Sequence, residues 1–152
     1  MRTAPLLLSI ACLMTATAVA QQPPDESAAT VRRLHETMMK PASDVIFNVG
    51  REAPKNNEDW IAISGAGVTL VSAGNLLMRA SPPKDGAKWI ALSRQLVTAG
   101  RAARKAAEAR NVGALMRTSD RLILVCETCH ARYRNPSCAG GVSADCGDAT
   151  SA

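Results

Sequence analysis

The chain has 152 residues, enough for one domain with a modest core, and a net charge of +5 whose cations are interspersed with acids. Without a block of charge or interleaved aromatics, this balance excludes a nucleic-acid-binding surface of the usual kind. Phe47, Trp60, Trp89 and Tyr133 are its only aromatic side chains, so the core must be filled by Ala and Leu or helped by a large flat apolar cofactor.

After Arg2, residues 4 to 20 (APLLLSIACLMTATAVA) are apolar and small and end on Ala18-Val19-Ala20. This predicts a secretory signal peptide over residues 1–20 with an A-x-A cleavage site. The run falls short of the ~20 residues that a membrane-spanning helix needs, and no later apolar run is longer. No membrane span is therefore expected once the signal is removed. Cys12 does not read as a lipoprotein cysteine, because Ser9 stands where such a signal wants an aliphatic residue, so it leaves with the signal.

Residues 21–135 read as one helical domain. Over residues 27 to 50, Val31, Leu34, His35, Met38, Met39, Ala42, Val45, Ile46 and Val49 share one broad stripe at helical spacing. Pro41 must bend or locally break that helix. The stretch "NNEDW" opens a second helix, with Asn57 as its N-cap and acids in the first turn. Its inward face runs Trp60, Ile63, Gly67, Leu70, Val71, Gly74, Leu77. Two glycines weaken a helix, and close packing against a neighbour is the expected compensation.

"SPPKDG" breaks the chain, and a third helix is predicted over residues 87 to 110 with Trp89, Leu92, Leu96, Ala99, Ala103 and Ala106 inward. Arg101, Arg104, Lys105 and Arg110 lie mostly off that stripe and read as a solvated face rather than a docking patch for an acidic partner. A fourth helix follows over residues 114 to 134, with Leu115, Ser119, Leu122, Cys126, Cys129 and Tyr133 inward. Four amphipathic helices with short connections predict an all-α fold, an antiparallel four-helix bundle. Residues 136–152 are rich in Gly, Ser and Ala and read as a flexible tail.

The chemistry sits in "CETCH", residues 126 to 130. On a helix, Cys129 falls about 60° to one side of Cys126 and His130 about 40° to the other, so all three share one face. Two thiols at that spacing can add to the two vinyl groups on one porphyrin edge while the next imidazole reaches the iron. The spacing is that of c-type haem attachment, with one haem c held by Cys126 and Cys129 and His130 as proximal iron ligand. A zinc site with Cys138, Cys146 or His130 has the wrong distances for paired knuckles. A thioredoxin-like dithiol belongs at a helix N-terminus after a strand, not deep in a helix. Export also favours haem, because bacterial attachment of this kind takes place outside the cytoplasm. In that compartment Cys138 and Cys146, separated by "AGGVSAD", are expected to close a small disulfide loop.

A helical bundle with its CxxCH in the last helix and a basic residue four positions beyond the histidine resembles the cytochrome c′ family and its six-coordinate relatives. "CETCHARYR" and "HETMMK" carry the resemblance, which covers roughly residues 25 to 135. It implies that Tyr133 and Arg134 lie beside the haem, with Arg134 influencing its electrostatics, and that a helix-1 residue covers the distal face. Aligning on Met39-Lys40 makes Met39 the distal residue, with His35-Glu36 in place of the family's Arg-Gln. Met38 and His35 are the alternatives. His/Met ligation implies a periplasmic electron carrier of a Gram-negative bacterium, without enzymatic activity. A distal residue that only packs over the iron implies binding of NO or CO instead, and a structural bundle without haem is a third reading. Redox partner proteins are the expected partners, with small gases and a second copy of the chain as alternatives.

Overall fold

The computed structural model describes residues 24–80 and 85–134, and among them the regular structure is entirely helical. Four helices pack against one another, as the periodicity predicts. The first is a continuous rod made of α1 (Pro24–Leu34), a π-helical turn (His35–Met39) and α2 (Lys40–Asn48). It is followed by α3 (Asn57–Arg79), α4 (Gly86–Glu108) and α5 (Val112–Tyr133). The segments assigned to a signal (1–20) and a tail (136–152), the latter with Cys138 and Cys146, lie outside the described residues.

The rod passes Pro41 without breaking. Proline has no N–H to give, and its ring collides with the carbonyl one α-turn back. The chain meets both problems by widening the preceding turn, so that the Lys40 N–H bonds to the His35 carbonyl five residues earlier. One added residue rotates what precedes it by roughly 100° relative to α2. The stripe expected over this rod is kept at every position but Val45. Ala42, Ser43, Ile46 and Val49 are buried, Val45 is 38% exposed, and Val31, Leu34, His35, Met38 and Met39 are half-buried.

The N-cap of α3 is Asn56, one residue earlier than predicted. Asn56 Oδ1 accepts from the Asp59 N–H at 2.9 Å, and Asp59 Oδ2 accepts from the Lys55 and Asn56 N–H groups, a reciprocal capping box. Asn57, the cap expected from the sequence, accepts instead from Arg110 Nη2 at 2.8 Å and ties the start of α3 to the end of α4.

Helices α3 and α4 form the tightest seam. A Cβ placed on Gly67 would lie 2.7 Å from the Gly100 carbonyl oxygen, and one on Gly100 equally close to that of Gly67. The backbones touch where side chains would hold them apart, which is the packing that the glycines of α3 predict. Gly67 facing Gly100 and Leu77 facing Trp89 make the pair antiparallel. Gly50 against Met116, and His35 against His130, set α5 antiparallel to the rod. Helix α3 is long and apolar enough to cross a membrane by composition, but it buries Ile63, Gly67, Leu70, Gly74 and Leu77 inside the bundle.

The inward positions expected on α4 are all buried, with Trp89 3% exposed. Helix α4 ends in a Schellman motif: the Asn111 N–H bonds to the Ala106 carbonyl and the Arg110 N–H to that of Ala107, both at 2.9 Å. Arg110 occupies the left-handed position at φ 50°, a place usually given to glycine. Asn111 then caps α5 by accepting from the Ala114 N–H.

Candidate functional site

The motif of α5 lies in its last two turns, at the end of the bundle where α3 finishes and α4 begins. Cys126 and Cys129 are uncrosslinked, half-buried and packed against the core cluster. Burial raises the Cys126 thiol, with the Glu127 carboxylate adding to it, and burial followed by Cys126 pushes Cys129 up to about 11. Both are thiols at neutral pH. A dithiol redox pair needs the opposite, a thiol whose pKa is pulled down.

His130 is half-buried beside them. Burial lowers its basicity first, and His35 and Arg134 lower it further, so the imidazole favours the neutral form in which it can bind a metal. Its ring meets that of His35 at a centroid distance of 5.1 Å and an interplanar angle of 63°. Among the described residues, neither imidazole has a hydrogen-bond partner for its ring nitrogens. Met39, on the same π-helical turn as His35, is packed against the core cluster, and Met38 is half-buried.

Arg134 is exposed, and its N–H closes the helix on the His130 carbonyl at 3.0 Å. Its charge is close enough to lower the basicity of His130. Tyr133 is turned towards α4. Its hydroxyl donates to Asp85 Oδ1 at 2.9 Å, and its ring stands edge-on to Trp89 at 5.0 Å.

Asp85 is the residue that sequence reasoning missed. It occupies the N-cap position of α4, yet its side chain caps nothing and serves α5, accepting from Tyr133 and pairing with Arg132 Nε. Desolvation works against its charge, but the hydrogen bonds from Tyr133 and Arg132 and the charge of Arg132 outweigh it and hold the carboxyl below its usual range. Within "SPPKDG" it reads only as a turn acid, and no local signal could have paired it with α5.

The donor set fits a covalently attached haem: two free thiols one turn apart, the next imidazole, and a second imidazole facing it. Among the described residues, no group of three or more His, Cys, Asp or Glu is placed to hold a metal ion by itself. Two surface grooves lie away from these residues, one lined by Arg101, Arg104 and Lys105, the other by Lys105, Arg117 and Arg121. The chain matches no protein-family model, no curated protein and no solved structure.

Proposed function

We propose that this chain is an exported c-type haem protein that carries single electrons, a relative of the cytochrome c′ family working in the periplasm of a Gram-negative bacterium. Cys126 and Cys129 would hold the porphyrin through thioether bonds, and His130 would bind its iron. The observation that carries this reading is the pairing of two free thiols one turn apart on α5 with the adjacent His130 imidazole, whose ring meets that of His35 on the helix-1 turn. When bound, the haem supplies a one-electron couple between ferric and ferrous iron.

The protein's own part is to seat that group and set its surroundings. The core cluster against which both cysteines pack excludes water from one side. Asp85, Arg132 and Tyr133 anchor the turn of α5 that follows His130. Arg134 places a cation nearby, which favours an anionic neighbour such as a propionate. His35, whose ring faces that of His130, offers a second donor side chain and so favours electron transfer over the binding of NO or CO.

The test is covalent attachment. Chain matured with haem should keep its colour through denaturation and extraction with acidified organic solvent, with a mass raised by one haem. Colour that extracts away, or zinc as the metal of the purified protein, would defeat the reading and leave a structural bundle in its place.

A further inference from the structure

Helix 1 offers three donors, and the geometry separates them. Met39, the distal residue suggested by aligning the methionine-lysine pair, is half-buried and engaged with the core cluster. His35 holds its ring against that of His130, 5.1 Å between centroids, and neither ring has a hydrogen-bond partner among the described residues. Two imidazoles that face each other beside two free thiols have the character of a ligand pair.

The backbone explains how His35 reaches that place. It opens the π-helical turn, and its carbonyl receives the five-residue hydrogen bond from Lys40 that the proline at position 41 makes necessary. The widened turn rotates α1 relative to α2 by about one residue's worth of helix. Position 35 is thereby set against α5 while Ala42, Ile46 and Val49 keep the core. Single π-helical turns inside α-helices occur frequently at functional sites.

We infer that His35, rather than Met39 or Met38, is the second side chain that would bind the haem iron, together with His130. This rests on the haem reading above and adds to it the identity of the sixth ligand. Seating the porphyrin would require the two rings to part.

The experiment uses holoprotein in which covalent haem has first been established by solvent extraction and mass, so that failure of the haem reading shows itself separately, as a chain that takes up no haem. The unmodified reduced protein should be low-spin and should not bind CO. H35A should turn high-spin and bind CO stoichiometrically, and added imidazole should restore the low-spin spectrum. M39A and M38A should keep the low-spin spectrum. H35M should raise the reduction potential, because a thioether ligand favours the ferrous state. Should H35A fail to fold, near-infrared magnetic circular dichroism of the unmodified ferric protein decides alone, since it separates two-imidazole from imidazole and thioether ligation. The inference is overturned by a thioether signature, by CO binding that M39A opens and H35A does not, or by an unmodified protein that is already high-spin.

Discussion

Tyr133 and Asp85, 48 residues apart in sequence, join the last turn of α5 to the first turn of α4 through a 2.9 Å hydrogen bond from the phenol to the carboxylate. Arg132 pairs with the other carboxylate oxygen, and Trp89 supports the phenol edge-on while donating from Nε1 to the Leu77 carbonyl at 2.7 Å. The contact therefore gathers the end of α3, the start of α4 and the turn of α5 that follows the CxxCH motif.

Replacement of Asp85 by Asn should lower the unfolding midpoint at neutral pH. The carboxyl is more acidic folded than unfolded, so its stabilisation is complete above the unfolded value of about 4 and is lost as pH falls through the lower folded value. Urea unfolding of both proteins across pH should show a constant gap from neutral pH down to about 5 and a closing gap below about 4. A gap that persists unchanged into acid would show that the charge of Asp85 is not what ties the two helices.

The α3/α4 seam predicts opposite effects for two alanines on one helix. In Gly67→Ala the new Cβ would meet the Gly100 oxygen at 2.7 Å and the Arg104 nitrogen at 2.8 Å, both backbone atoms that cannot swing aside. A loss at the upper end of about 1–3 kcal/mol is expected in denaturant unfolding. Gly65→Ala, which meets nothing within 4 Å, should gain roughly 0.5–1 kcal/mol from helix propensity alone.

Arg110 holds a left-handed conformation, φ 50°, at the close of α4. An L-residue there carries about 1–2 kcal/mol of strain, part of which glycine gives back through its flexible unfolded state. Arg110→Gly also gives up the exposed hydrogen bond to Asn57. The net expectation is a gain of up to about 1 kcal/mol, read as a higher urea midpoint with an unchanged slope.

Cys138 and Cys146 are expected to be bridged, and Cys126 and Cys129 to be consumed by thioether bonds. Thiol titration of the denatured, unreduced holoprotein should find no reactive thiol in the mature chain. Two reactive thiols would mean that the tail carries no bridge.

What the sequence determined by itself was whatever depends on spacing along one helix. The inward faces of α4 and α5, the glycine seam of α3 and the shared face of Cys126, Cys129 and His130 all follow from a fixed rotation per residue, which needs no knowledge of a neighbour. The tertiary structure decided what lies opposite. The stripe read over helix 1 holds on both sides of the π-helical turn before Pro41 and misses only at Val45, which is exposed. The His35 ring meets that of His130, and Asp85 meets Tyr133, only because helix 1 and the ends of α4 and α5 come together. Periodicity orders side chains around one axis; the distance between two axes, and the register at which they meet, arise only when the helices pack.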